Sequence, residues 1–174
     1  MERQNIDITV FNVNIFEALN SGWMLLTAGD HRHHNCMTVS WGFLGTFWHM
    51  PIAVAGVRPQ RHTFKFIEQA ESFSLCAFPD KYRDALSFCG TKSGRDCDKV
   101  AETGLTPIKL EEVEVPGYAE AELIIECRIV YADELKGKNF IDKSIISDVY
   151  QNRDYHKLFY GKVVNISGIE KYIK

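Results

Sequence analysis

Short stretches in which apolar and polar residues alternate recur along the chain. Alternation at every second position is typical of a strand with one buried face. Residues 6–11 and 121–132 have this pattern, and compact apolar runs bounded by turn residues fit further strands. The predicted strands are residues 6–11, 23–28, 36–47, 52–57, 72–78, 121–132 and 158–166.

The helices predicted between these strands are short and few. Residues 63–70, 81–88 and 142–150 fit helices, with Thr63 as the N-cap of the first. Asp96 is expected to cap another short helix that Gly104 ends. Many strands with a few short helices predict a β-rich α+β domain whose strands form a barrel. A Rossmann domain is disfavoured because no GxGxxG stands between a strand and a helix.

Length and composition restrict the class of protein. The 174 residues contain no internal repeat or linker, so we expect a single domain over residues 1–174. Lys and Arg number 20 and Asp and Glu 23, a net charge of −3 that argues against a dedicated nucleic-acid binder. Without an apolar run of about 18 residues or an apolar leader, no membrane span or signal peptide is predicted. Five cysteines without a CxxC pair suggest a reducing, cytoplasmic setting.

The sequence HRHHNC, residues 31–36, raises the question of a metal site. Three histidines and a cysteine offer suitable ligands, but a stable site needs about four at tetrahedral geometry. His33 and His34 are neighbours on an extended chain and point opposite ways, so sharing one ion is difficult. No second cluster elsewhere completes the shell. The pattern favours a solvated loop, and no metal ligand is assigned.

The strand after this loop has two different faces. Its odd positions from Met37 to Phe47 are mostly large and apolar, whereas Thr38 and Ser40 share a face of small side chains. One face is therefore expected to pack, while the other leaves room beside hydroxyl groups for a flat polar ligand. A half-buried strand with a solvated Thr/Ser face fits the same pattern.

Two further stretches could bind an anion. In VRPQRHT, residues 57–63, Arg58 and Arg61 bracket a strand-to-helix turn, where guanidinium groups and free helix amides suit a phosphate. Surface arginines at an ordinary turn are the alternative. In CGTKSGRDCDK, residues 89–99, hydroxyl groups, Lys92 and glycines precede a helix, although the spacing is not that of a Walker A loop. A plain polar loop is again the alternative.

Taken in order, these stretches resemble the flavin reductase-like family. The order is Asn-x-Met-Thr-x-Ser-Trp, a strand ending in Arg, Arg-x-Thr opening a helix, and then SGRDxDK. The resemblance covers residues 23–106 and continues more faintly through DYHKLFYG at 154–161. It implies a split β-barrel of the Greek-key, FMN-binding type with short peripheral helices.

The resemblance also implies a set of cofactor-binding residues. Flavin contacts fall on the first long strand, phosphate contacts on the turn with the two arginines, and ribityl or phosphate contacts on the second loop. An aromatic of the last strand is expected near the ring. The residues are Asn35, Thr38, Ser40, Trp41, Arg58, Arg61, Thr63, Cys89, Thr91, Lys92 and either Phe159 or Tyr160. Asn35 and Trp41 lie on the strand face opposite Thr38 and Ser40, so a bulge, backbone contacts or a partner subunit would be needed to unite them.

The function implied by the resemblance is that of an FMN-dependent oxidoreductase working as a homodimer. The flavin would carry electrons from NAD(P)H or a redox protein to an acceptor, so no catalytic side chain is assigned. One alternative is a reductase component that supplies free reduced flavin to a monooxygenase. Another is a flavin- or metal-binding module without turnover.

Overall fold

The computed structural model describes residues 2–174, and its framework is antiparallel. The strands are β1 Gln4–Asn5, β2 Met24–Gly29, β3 His34–Val39, β4 Gly42–Phe47, β5 Met50–Val57, β6 Ser72–Ala77, β7 Pro107–Ile108, β8 Gly117–Tyr118, β9 Leu123–Glu134 and β10 Lys157–Gly168. The α-helices are α1 Ile15–Glu17, α2 His62–Ile67, α3 Arg83–Thr91, α4 Lys99–Thr103 and α5 Ser144–Val149. Single 3₁₀ or π turns occur at Ala18–Gly22, Asp80–Tyr82, Gly137–Asn139 and Glu170–Tyr172.

One sheet carries the fold, with strand order β3-β2-β6-β9-β10-β5-β4 and β1 added beside β10. Its two edge strands, β3 and β4, are consecutive in the chain and are joined only by Ser40 and Trp41. Because two residues cannot span a flat sheet of seven strands, the sheet must curl until its edges meet. The result is a β-barrel that is split between β3 and β4, with short helices outside it. The predicted fold class is confirmed.

Two apolar cores share the sheet. The barrel interior contains Leu26, Phe73, Ile125 and Phe159, each at most 3% exposed. A second core lies between the other face of β2, β3, β6 and β9 and the helices α3 and α4. It contains Leu25, Cys36, Cys76, Leu86, Cys89, Leu105, Tyr118, Ala121 and Ile124. Burial on both faces explains why these strands have more continuous apolar runs than a half-buried strand.

The strand predicted for residues 6–11 is wrong, because the first strand of the structure is Gln4–Asn5. Only Gln4 and Asn5 pair with β10, and the chain then turns where the Asp7 carboxylate accepts the Thr9 amide at 2.8 Å. Phe11 returns to make a single antiparallel bridge with Ile173. An Asp two residues before a Thr can close a local turn, and this turn competes with strand pairing. The alternation of apolar residues gave no sign of the turn.

The predicted helix caps need correction as well. Arg61 holds the N-cap position of α2, and Thr63 lies inside that helix with its side chain buried. Asp98, not Asp96, caps α4 by accepting the amides of Val100 and Ala101 at 3.0 and 3.1 Å. Gly104 ends α4 in the left-handed conformation as predicted, with φ of 67°. No helix among residues 2–174 has the length and apolar character to span a membrane.

Candidate functional site

A buried polar cluster joins three elements at one side of the barrel. Asn35 lies in β3, Thr63 in the first turn of α2 and Lys99 at the start of α4, and all three are at most 9% exposed. Asn35 Nδ2 donates to Thr63 Oγ1 at 2.7 Å, and Thr63 Oγ1 lies 3.2 Å from the carbonyl oxygen of Cys36. Lys99 Nζ donates to the same carbonyl. Residues distant in sequence therefore converge on the backbone of β3.

Lys99 is the chemically unusual member of this cluster. Its Nζ also donates to the carbonyl oxygen of Cys89 at 3.2 Å, so two of its three N–H groups have partners. Lysine is rarely this deeply buried, and burial lowers the pKa of Lys99. One N–H group remains available to an acceptor that enters the neighbouring cleft, and a negatively charged acceptor suits an ammonium group best.

That cleft has a volume of about 570 Å³. Its walls are the β2–β3 hairpin loop, the start of α2 and the loop before α4; they include Arg32, Asn35, Cys36, His62, Arg95 and Lys99. Gly94 brings the loop onto β3, because a Cβ there would lie 2.1 Å from Asn35 Oδ1. His62 Nδ1 is buried without a hydrogen-bond partner. A polar ligand could supply that missing partner.

The charge around the cleft favours an anion. Arg32, Arg95 and Lys99 face it together with Asp96 and Asp98, and the Asp98 carboxylate is already held by the helix amides it caps. A larger cleft of about 970 Å³ lies elsewhere on the protein, and it is bordered by acidic side chains. These are Glu71, Glu111, Glu112 and Glu114. They outnumber the cations beside them, so the smaller cleft is the better anion site.

Several predicted site residues lie around α3. Thr38 Oγ1 donates to the carbonyl of Leu86, and Arg61 Nη2 donates to the carbonyl of Gly90 at 2.7 Å. Burial lowers the pKa of Arg61, as expected for a guanidinium withdrawn from water. Cys89 is fully buried in α3, whereas Ser40 is half-buried at the split of the barrel. Thr38, Arg61 and Cys89 thus hold α3 near the cluster.

Thr91 and Lys92 are in a different position from Lys99. Thr91 is the last residue of α3, and its Oγ1 donates back to the carbonyl of Ser87 at 2.9 Å. The Lys92 side chain is exposed. Of the two lysines in residues 89–99, it is Lys99, at the start of α4, that lies beside Asn35 and Thr63. The sequence does not distinguish the two lysines, because only the tertiary packing buries Lys99 and leaves Lys92 exposed.

Arg58 belongs to a second cluster, beside the C-terminal strand. Its Nη1 forms an ion pair with Asp154 Oδ2 at 2.6 Å, and its Nη2 donates to the carbonyl of Val149. The guanidinium lies 5.9 Å from the Trp41 ring centroid and 5.3 Å from that of Tyr150. The two predicted arginines therefore have different partners, Arg61 at α3 and Arg58 at the start of β10.

His156 is a further member of this second cluster that was not predicted from the sequence. It is 8% exposed, its Nδ1 lies 2.8 Å from the Tyr150 hydroxyl, and its ring centroid lies 4.8 Å from that of Trp41. Burial, reinforced by the Arg58 charge, lowers the pKa of His156 to about 4. The imidazole is therefore neutral at pH 7, under the half-exposed Trp41 ring.

The two aromatic candidates on β10 point to opposite faces. Phe159 is inside the barrel, 2% exposed, with its ring centroid 6.1 Å from that of Phe64. Tyr160 is on the outer face, where its ring centroid lies 5.3 Å from that of Tyr131. Of the pair, Tyr160 is the one available to another molecule.

The HRHHNC segment forms the β2–β3 hairpin loop and then enters β3. The Asp30 carboxylate organises the loop by accepting the amides of Arg32 and His33, both at 2.7 Å. The His33 ring packs against Phe66 with centroids 4.8 Å apart. Within residues 2–174, no group of three or more His, Cys, Asp or Glu side chains is placed to hold a metal ion.

Comparison with known proteins identifies the class to which this barrel belongs. Residues 16–172 match the family described as flavin reductase like domain, and the chain belongs to that family. A curated relative, an uncharacterized protein of Aeropyrum pernix, is 27% identical over 108 residues. That match covers 62% of this chain and only 41% of the relative's length.

Solved structures of similar fold come from several members of this class. A flavoredoxin from Methanosarcina acetivorans superimposes with a TM-score of 0.67 and 21% identity, covering 98% of this chain and 75% of that one. An FMN-binding domain of a flavin reductases-like enzyme from Shewanella baltica gives 0.69 and 16%, covering 96% and 77%. Nitrilotriacetate monooxygenase component B from Bacillus cereus gives 0.68 and 18%, covering 98% and 84%.

Proposed function

We propose that this protein binds FMN in the cleft beside Asn35, Thr63 and Lys99 and transfers electrons through it. The observation that carries the proposal is the buried Lys99 ammonium, which borders the cleft and has carbonyl partners for only two of its three N–H groups. Membership of the flavin reductase-like family supports the choice of a flavin. Structural similarity to flavoredoxins supports FMN and an electron-carrier type of oxidoreductase.

The residues present fit such a cofactor. Lys99 and Arg95 would hold the phosphate, Asn35 and Thr63 would bond its polar chain, and the unpartnered His62 Nδ1 would gain a partner. When bound, FMN supplies the redox chemistry, and the protein supplies binding, orientation and electrostatics. The buried Asn35–Thr63 hydrogen bond fixes the polar wall before a ligand arrives, which lowers the ordering needed on binding.

NAD(P)H or a reduced redox protein is the proposed electron donor. A second candidate function is the reductase component that releases reduced flavin to a monooxygenase. The structural likeness to nitrilotriacetate monooxygenase component B favours this alternative. The two functions differ in whether FMN stays bound while it is reduced.

We further propose a reducing, cytoplasmic compartment, since all five cysteines are free thiols.

Adding FMN to purified protein tests the central proposal. We expect saturable binding at micromolar FMN with quenched flavin fluorescence, followed by anaerobic bleaching of the visible flavin absorbance on addition of NAD(P)H or a reduced redox protein. Reduced flavin that remains with the protein on gel filtration supports the carrier function, and release supports the reductase component. Absence of FMN binding at about 100 µM would contradict the proposal, since cofactor sites normally bind more tightly than this.

A cluster of exposed aromatic side chains supports the proposal of a homodimer. Phe43, Phe47, Trp48 and Tyr131 are between 47% and 56% exposed, and Tyr160 joins them on the outer face of the sheet. Contiguous exposed aromatics of this kind mark protein interfaces. A second copy of the chain would bury the same surface on both sides, as a twofold axis requires.

The substitution Trp48→Glu is expected to weaken that dimer by about tenfold or more, because an aromatic hot spot at the centre of an interface contributes about 2 kcal/mol. Sedimentation velocity over a range of protein concentrations measures the change. Ile141→Glu is the matched control, since Ile141 is 99% exposed but lies outside the aromatic cluster. Equal behaviour of the two variants would argue against this interface.

A further inference from the structure

Cys36 and Cys89 are two thiols in contact behind the wall of the cleft. Cys36 lies on the face of β3 that packs against α3, and Cys89 lies on α3 itself. Their sulfur atoms are 3.9 Å apart although the residues are 53 positions apart in the sequence. The fold therefore brings together two cysteines that no sequence motif pairs, and it gives them no role in the proposed flavin chemistry.

The surroundings make the two thiols unequal. The hydrogen bond with Cys89, aided by the nearby Lys99 ammonium, lowers the pKa of Cys36 to about 7. The same hydrogen bond and burial raise the pKa of Cys89. The lowered pKa favours the thiolate of Cys36, and the thiolate is the form that reacts with oxidants. Cys89 lies next to it as the thiol that can complete a disulfide.

Contacts, rather than exposure, distinguish Cys36 and Cys89 from the other three cysteines. Cys36 is only 1% exposed and, like Cys97, borders the cleft of about 570 Å³, so an oxidant that approaches it from that side must be small. Cys76 and Cys127 are fully buried, and burial raises the pKa of both, that of Cys76 to about 12. Cys97 is half-buried, with its sulfur 3.6 Å from the carbonyl of Ser93 and no thiol partner in the described part of the chain.

We propose that Cys36 and Cys89 are a peroxide-oxidised dithiol that forms a reversible disulfide between β3 and α3. The Cys36 thiolate attacks one oxygen of a hydroperoxide, the O–O bond breaks, and sulfenic acid forms while the departing oxygen leaves as water or alcohol after protonation. The Cys89 sulfur then attacks the Cys36 sulfur, and water leaves with the Cys89 proton. Two electrons pass from the two thiols to one peroxide, and an external dithiol restores both thiols.

The position of this bond gives it a consequence for the cleft. The carbonyl groups of Cys36 and Cys89 are the two groups that hold Lys99. A disulfide would link the residues that carry both carbonyls and so fix α3 against β3 behind the lysine. Oxidation of the two thiols would therefore change the rigidity of the wall behind the anion site.

Peptide mapping tests the proposal directly, because trypsin places each of the five cysteines in a different peptide. Reduced wild-type protein is treated with a few equivalents of hydrogen peroxide, alkylated and digested without reductant. The expected product is a linked pair of peptides 33–61 and 84–92, lighter by two hydrogen atoms than the separate thiol peptides. Dithiothreitol should convert the pair back. Cys76→Ser is the matched control, and the linked pair should persist in it.

A second experiment tests whether Cys36 is oxidised before Cys89 attacks it. In Cys89→Ser the partner thiol is absent, so dimedone should trap sulfenic acid at Cys36 after peroxide treatment. Recovery of peptides 33–61 and 84–92 as separately alkylated species from peroxide-treated wild type would overturn the proposal. So would a linkage of Cys36 to any cysteine other than Cys89. Absence of the dimedone adduct in Cys89→Ser would overturn the assignment of Cys36 as the reacting thiol.

Discussion

Replacing Lys99 with methionine is expected to weaken FMN binding by about ten- to hundredfold. The physical reason is the loss of one charge-assisted hydrogen bond to the phosphate, which contributes about 1.5–3 kcal/mol. Methionine retains the length of the buried stem and removes only the ammonium group, which donates to the carbonyls of Cys36 and Cys89. Fluorescence titration measures the affinity of wild type and variant.

Two controls separate a phosphate contact from damage to the fold. Riboflavin lacks the phosphate, so Lys99→Met should bind it about as well as wild type does. Lys92→Met removes the exposed lysine of the same motif and should leave the FMN affinity within about twofold of wild type, as surface substitutions usually do. Equal losses for FMN and riboflavin would contradict the assignment of Lys99 to the phosphate.

Acidification from pH 7 to pH 4 is expected to remove about 1–3 kcal/mol of unfolding free energy through His156 alone. Burial and the Arg58 charge lower the pKa of His156 in the folded protein to about 4, whereas an unfolded histidine titrates near 6.5. Between these values the unfolded chain binds a proton that the folded protein does not. Stability is therefore complete above about pH 6.5 and falls as the pH decreases towards 4.

Urea unfolding at pH 7 and pH 4.5 measures this effect. Other carboxylates contribute to the pH dependence as well, whereas the hydrogen bond from Arg58 lowers the pKa of Asp154 and keeps this carboxyl group charged beside the histidine. The informative quantity is therefore the difference between wild type and His156→Gln, whose amide keeps a partner for the Tyr150 hydroxyl without titrating. The loss of stability should be smaller in the variant. An identical pH dependence would show that His156 titrates normally in the folded protein.

The sequence predicted the barrel well where alternation and apolar runs were the dominant signal. It was wrong where a local hydrogen bond or a break in the strand competed with that signal. The strand predicted for residues 36–47 is two strands, β3 and β4, because the chain leaves the sheet at Ser40 and Trp41. Alternation cannot reveal such a break, since the residues on both sides of it continue the apolar pattern. The strand predicted for residues 6–11 was wrong for a related reason, because Asp7 closes a turn there.

The faces of β3 explain how its predicted residues are used. Asn35 reaches Thr63 of α2, whereas Thr38 bonds to Leu86 of α3. Sequence reasoning correctly placed Asn35 and Thr38 on opposite faces. It could not show that each face is covered by its own helix. Choosing Lys99 over Lys92 requires the same tertiary information, because only the packing of α4 against β3 decides which lysine is buried.

Because two carbonyl groups hold Lys99, its side chain becomes ordered during folding and not when a ligand binds. A lysine that is free in solvent loses about 1.5–2 kcal/mol of rotamer freedom when it is fixed. In this fold the Cys36 and Cys89 carbonyls fix the lysine during folding, so its entropy is lost before any ligand arrives. The two hydrogen bonds offset that entropy cost during folding, and the anion meets a rigid donor. An equally charged but mobile lysine at the same place would bind the anion more weakly.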